Sequence, residues 1–136
     1  MEAFEPLLLG LTNFAIYFGL SLVALLLFKF LYTLVTPYDE WALVKNQNSA
    51  AACALSGAVI GFSIALGSAA TNSVSIVDFA VWAIVALIAQ IVAFFVVRMF
   101  MPMISQRIQD NEIPAGIVLG AVSIAIGILN AASLTY

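Results

Sequence analysis

Four apolar runs, each long enough to cross a bilayer, take up nearly all of the 136 residues. A spanning helix needs about 20 mostly apolar residues at about 1.5 Å of rise each, and the runs extend from Pro6 to Thr36, Ala50 to Thr71, Phe79 to Met101 and Pro114 to Ser133. What lies between them is too short for a second, water-facing domain. Hydrophobic residues make up 65% of the chain and charged residues 8%, whereas a soluble surface draws on about 25% charge. The expectation is an all-α integral membrane protein, a single membrane domain over residues 1–136 with four transmembrane helices. The first run exceeds what a bilayer needs, so either its helix tilts or the residues before Asn13 lie in the interface.

Charge placement gives an orientation. A secretory signal opens on positive charge, and this sequence opens on MEAFEP, with Glu2 and Glu5, so the first run reads as a retained helix. Lys29 and Lys45 flank the connection between spans one and two, and Arg98 and Arg107 flank that between spans three and four. All four therefore fall on one side, which the positive-inside rule makes cytoplasmic. Both termini, and the TNSVSIVD connection carrying Asp78, are expected outside. No basic patch for nucleic acid is present.

The sequence also matches itself. A shift of 63 places Asn48 on Asn111, Ala52 on Ala115, Gly57, Ala58 and Val59 on Gly120, Ala121 and Val122, Leu66 on Leu129 and Ala69 on Ala132. A shift of 65 places Pro37 on Pro102, Phe30 on Phe95, and Phe14 and Ala15 on Phe79 and Ala80. This predicts two repeats, about residues 6–73 and 78–136. Each holds two helices, an even number, so the repeats enter the membrane the same way and are parallel.

Spans two and four have given up their bulk. Ser49, Cys53, Gly57, Gly61, Ala65, Ala69 and Ser73 recur every four residues, and Gly116, Gly120, Ser123, Gly127 and Ala131 follow at steps of three and four. Six of the eight glycines fall in these two spans, which places close packing there. Lipid tails are as apolar as leucine, so helices in a bilayer associate through close backbone contact rather than burial. The expectation is an inner pair of spans two and four, with one and three facing lipid. The smooth faces are open to two readings: tight packing, within the chain or between copies, or the lining of a pathway.

Polar residues within the spans are costly and face protein or water. Asn13, Ser68, Thr71, Asn72, Ser73, Asp78, Asn130, Ser133 and Thr135 gather toward the outer side, as caps and interhelical bonds or as the rim of an outward pocket; Gln90 and Asn130 sit deeper than a cap. In the inner connections Pro37 stops a helix, Asp39 caps a short interfacial turn, Tyr38 and Trp41 lie at headgroup depth, and Ile104 and Ile108 share a face. Asn111 or Glu112 precedes Pro114 at a helix start. Lys29, Trp41, Lys45, Arg98 and Arg107 are interfacial anchors, Lys29 by snorkelling. Catalysis has little to stand on: the chain has no His, and its one thiol, Cys53, sits in the small stripe. Asp39, Glu40, Asp78, Asp110 and Glu112 lie in or near loops on different sides, with no intramembrane carboxylate pair. No cofactor, metal or enzyme activity is expected.

TPYDEW, then KNQNSAAACALSGAVIGFSIALGSAATNSVSIVDF, the VRMFMP end of span three and the glycine-rich last span together resemble the YjfL family of bacterial inner-membrane proteins, a group of unknown function. The resemblance implies a four-helix inner-membrane protein without an established activity. Relatives encoded beside phage-shock-type membrane-remodelling proteins imply a role in envelope maintenance. Its motifs draw attention to Asn48, Gly57, Gly61, Ser68, Asn72, Ser73 and Asp78 without assigning roles. The sequence thus reads as a non-enzymatic, self-associating inner-membrane protein, an envelope component or an anchor for partners, in contact with lipid. The alternative is an oligomeric channel or carrier for an ion or small solute, with spans two and four along the pathway.

Overall fold

The computed structural model describes residues 4–134. Within them the chain forms α1 (Phe4–Val35), α2 (Glu40–Lys45), α3 (Ser49–Asn72), α4 (Ile76–Phe100), α5 (Ile104–Gln109) and α6 (Ile113–Ser133), with no strand among the described residues. Four of these, α1, α3, α4 and α6, are long and apolar enough to cross a membrane. They match the four expected runs to within about three residues at each end. Helix α1 is continuous over 32 residues, about 48 Å of rise against a hydrocarbon core of about 30 Å. Glu2 and Thr135 lie outside the described residues.

Helices α3 and α6 are packed backbone to backbone. A Cβ placed on Gly57 would overlap the Gly120 backbone, one on Gly116 would overlap Ala50, and one on Gly127 would overlap Gly61. Further along, the Ser68 hydroxyl donates to the Ala131 carbonyl at 3.2 Å. Contacts that advance together along both helices make the pair parallel.

Helix α4 departs from the expected lipid-facing role. It packs against both α3 and α6, alongside their seam, and buries Phe79, Ala86, Gln90, Ala93, Phe94 and Val97. Those positions recur at helical spacing, a face that uniformly apolar composition conceals. Only α1 stands largely apart, burying Phe28 and Tyr32. It is held by rings at three heights. Tyr17 meets Phe79 edge-on at 5.6 Å, Phe28 stacks on Phe62 at 4.5 Å, and Tyr32 meets Phe94 edge-on at 6.2 Å. Such pairs add about 0.5–1.5 kcal/mol each beyond the area they bury.

The connections α1–α2–α3 and α4–α5–α6 close in the same way. Gln47 N–H donates to the Val44 carbonyl and Asn48 N–H to Leu43; Asn111 N–H donates to Ile108 and Glu112 N–H to Arg107. Each turn passes through one left-handed residue, Gln47 at φ 64° and Asn111 at φ 59°. The two connections are also stitched together. The Asn48 amide donates to the Ile108 carbonyl at 2.8 Å, and the Asn111 side-chain oxygen accepts from Ala50 N–H at 3.0 Å. The end of the bundle carrying α2 and α5 therefore holds Lys29, Lys45, Arg98 and Arg107.

Candidate functional site

The seam and a buried polar line meet at one point. Gly61 is what allows it: a Cβ there would overlap both the Ser123 carbonyl and the Gln90 amide nitrogen. Through that gap Gln90 on α4 donates to the Ser123 carbonyl on α6 at 3.0 Å. Gln90 and Ser123 are fully buried. A buried amide is costly unless hydrogen-bonded, and the bond from its nitrogen ties α4 to the seam at this depth.

From Ser123 the line continues toward the basic end. The Tyr32 hydroxyl faces Ser123 without closing a hydrogen bond of ordinary geometry, and its other neighbour is Glu40. Glu40, first residue of α2, is 1% exposed. Its carboxylate oxygens lie against two α1-side hydroxyls, Thr36 at one oxygen and Thr33 at 3.2 Å from the other. Tyr38, two residues before it, is also buried. No cation reaches Glu40: among the described residues the ion pair is Arg107 with Glu112 at 3.3 Å, out at the surface.

Burial raises the Glu40 carboxyl above its ordinary 4.5; hydrogen bonds from Thr36, its own backbone and Thr33 oppose this, and Asp39 reinforces it. Burial likewise raises the Tyr38 hydroxyl, with Glu40 and then Tyr32 adding to the effect. The folded chain therefore holds the Glu40 proton more tightly than the unfolded chain. The carboxyl's contribution to stability is greatest below 4.5 and falls as pH climbs from there through the folded-state pKa. Glu40→Gln cannot ionise and is expected to flatten that decline, read as thermal unfolding in detergent over a pH series.

A scan against known families matches a domain of unknown function, DUF350, over residues 6–134. The chain belongs to the DUF350 family. A similar relative is the UPF0719 inner membrane protein YjfL of Escherichia coli K12, 41% identical over 127 residues, 93% of this chain and 96% of that one. The UPF0719 transmembrane protein YshE of Bacillus subtilis 168 is 22% identical over 126 residues, 91% of this chain and 94% of that one. No solved structure matches. This DUF350 chain is accordingly a multi-pass protein of the inner membrane, and the relatives' names carry no activity.

The other residues singled out from the sequence spread over this DUF350 fold. Of the stripe on α3, Gly57, Gly61, Ala65 and Ala69 are buried, Cys53 is half-buried with its carbonyl against Gly120, and Ser49 is exposed. On α6, Gly116, Gly120, Ser123 and Gly127 are buried and Ala131 is half-buried. Asn13 is exposed on α1. At the opposite end from the basic residues, Asn72 donates to the Ser68 carbonyl at 2.8 Å, Ser73 bonds the Ala69 carbonyl, and Asp78 accepts from Val74 N–H at 3.1 Å while Ser75 caps α4. Asn130 and Ser133 instead edge an open cleft of about 330 Å³ between α4 and α6. A second, wholly apolar groove of about 320 Å³ separates α1 from α3 and α4, walled by Leu27, Phe28, Phe62, Phe79 and Leu87. Lys29 and Lys45 both stand over the Trp41 ring, at 5.4 and 5.8 Å.

Glu40 is the residue that sequence reasoning passed over. An acid after Pro37 reads as solvated loop. The signal was the crowd of hydroxyls around it in YTLVTPYDE, where Tyr32, Thr33, Thr36 and Tyr38 stand within eight positions of the acid.

Proposed function

We propose that this chain is a non-enzymatic structural component of the bacterial inner membrane, self-associating and serving envelope maintenance or the anchoring of partners. The closed α3–α6 seam carries this reading. Glycine backbones in direct contact leave no lumen between the two helices, so the small-residue faces are spent on packing within the chain. Self-association then falls to other surfaces, and α1, with little of its length packed on its own chain, offers the broadest one. The alternative, an oligomeric channel or carrier with α3 and α6 along the pathway, is opposed by the same seam.

The reading includes two parallel repeats, residues 6–73 and 78–136, in a single membrane domain, with the basic end cytoplasmic and both termini outside. It is supported by the matching hydrogen bonds of the two connections and by the parallel course of α3 and α6. An alkaline phosphatase reporter fused after Tyr136 is expected to be active and a fluorescent reporter there dark; the reverse pattern refutes the orientation.

Purified protein in liposomes is expected to pass no ion faster than protein-free vesicles, and light scattering in mild detergent to give a multiple of 14.5 kDa. Selective flux abolished by bulky residues at Gly57 or Gly120 overturns the structural reading. A monomeric mass overturns self-association.

A further inference from the structure

The two connections at the basic end differ in how their charge is answered. In α4–α5–α6, Arg107 pairs with Glu112 at 3.3 Å, which leaves Arg98 as a single exposed cation. In α1–α2–α3 the cations are Lys29 and Lys45, and neither acid of that connection reaches them. Glu40 is turned inward onto Thr33 and Thr36, and the Asp39 carboxylate accepts from Ala42 N–H at 3.3 Å. Both ammonium groups stand instead over one ring, that of Trp41, at 5.4 and 5.8 Å from its centre. They are therefore no farther apart than those two distances combined. Each ammonium carries three donors, and among the described residues no protein acceptor takes them. Two positive charges gathered at one ring repel each other, so the place is complementary to an anion.

The surface above the pair makes that anion a lipid's. Lys29 stands six residues before Val35, so its backbone is about 9 Å inside the end of α1, and its stem reaches back toward the interface. On the same face of α1, at steps of three and four, follow Leu26, Leu22 and Phe18, all exposed. The track from Lys29 to Phe18 runs about 16 Å, half of a hydrocarbon core of about 30 Å. That is the depth of one leaflet, which a single acyl chain fills. Trp41, 45% exposed on α2, closes the polar end at headgroup depth.

We propose that Lys29, Lys45 and Trp41 form a binding site for an anionic phospholipid, with its phosphate between the two ammonium groups and one acyl chain along Leu26, Leu22 and Phe18. The phosphate accepts hydrogen bonds from both lysines and cancels their repulsion. The Trp41 ring gathers the two ammonium groups by cation–π attraction before the lipid arrives, so less freedom is lost on binding. Lys29 comes from α1, and Lys45 and Trp41 from α2, so a bound lipid also clasps the first connection to its helix. The site goes beyond the structural role proposed above and holds for a monomer or an oligomer alike.

The chain has two tryptophans, so Trp41 can be read alone in a Trp82→Phe background. In phosphatidylcholine vesicles, phosphatidylglycerol brominated near the head of its chains is expected to quench Trp41 at lower mole fraction than phosphatidylcholine brominated likewise. A lysine near a membrane surface is worth roughly fivefold in affinity for anionic lipid. Lys29→Gln or Lys45→Gln is expected to lower the preference by about that factor, and the double variant to abolish it. The Lys29→Arg, Lys45→Arg variant keeps the preference, and Arg98→Gln, which removes one positive charge from the same end, leaves it unchanged. Equal quenching by the two lipids with both lysines present overturns the site; a second copy covering this face gives that result. A loss in Arg98→Gln as great as in Lys45→Gln overturns it in favour of a general attraction to the basic end. In neutral detergent micelles, phosphatidylglycerol is expected to shift the Trp41 emission and inorganic phosphate to leave it in place. Equal shifts overturn the lipid in favour of a free anion. If the double variant fails to insert, Lys45→Gln alone, at an exposed position outside the spans, decides.

Discussion

Replacing Gly57 with leucine is expected to part α3 from α6 and lower stability by about 3 kcal/mol or more, at the upper end of overpacking costs. The atoms in the way belong to the Gly120 backbone, not to a flexible side chain. No rotamer change can relieve the overlap; one helix must move bodily. In a bilayer that movement removes the close backbone contact on which helix association depends. Even Gly57→Ala introduces the forbidden Cβ. Gly67, on the same helix, has nothing within 4 Å of the corresponding position, so Gly67→Leu is the matched control and is expected to behave as wild type. Thermal melts in detergent would show a fall of roughly 10 °C for Gly57→Leu. Equal midpoints for the two variants would refute the seam.

Asn48→Ala is expected to cost about 2 kcal/mol, combining a lost helix cap with the loss of one hydrogen bond to the Ile108 carbonyl, which keeps the one from Asn111 N–H. Its oxygen accepts from Ala51 N–H at 2.8 Å, capping α3, while its nitrogen donates to the Ile108 carbonyl at 2.8 Å. Asn48→Asp separates the two parts. The carboxylate keeps the cap and presents an acceptor to Ile108, so a cost close to that of alanine assigns the effect to the stitch between connections. A wild-type melt for Asn48→Asp assigns it to the cap alone.

The α3–α6 seam was legible because glycine at four-residue spacing is a pattern against an apolar background. The inner face of α4 was not, because Ala86, Ala93 and Val97 are as apolar as their lipid-facing neighbours, and only Gln90 broke the uniformity. Asn111 was expected near a helix start, and it is there, yet it caps the other helix. Asn48 reaches the N–H three residues on, at Ala51; three residues beyond Asn111 stands Pro114, which has no N–H to give. The side chain turns to Ala50 instead. Glu40 was obscured for a different reason. Its burial against Thr33 and Thr36 comes from the way the connection folds back on the end of α1, which charge and loop position alone do not carry.

The parallel seam also sets an order on biosynthesis. Helix α3 leaves the ribosome well before α6, with the whole of α4 between them, so its glycine face waits in lipid until the last helix arrives. Until then the bundle has no centre, and the interval is one in which α6 of a neighbouring chain can take the place. Heavy overexpression is therefore expected to favour exchanged pairs, and slower synthesis closure within one chain.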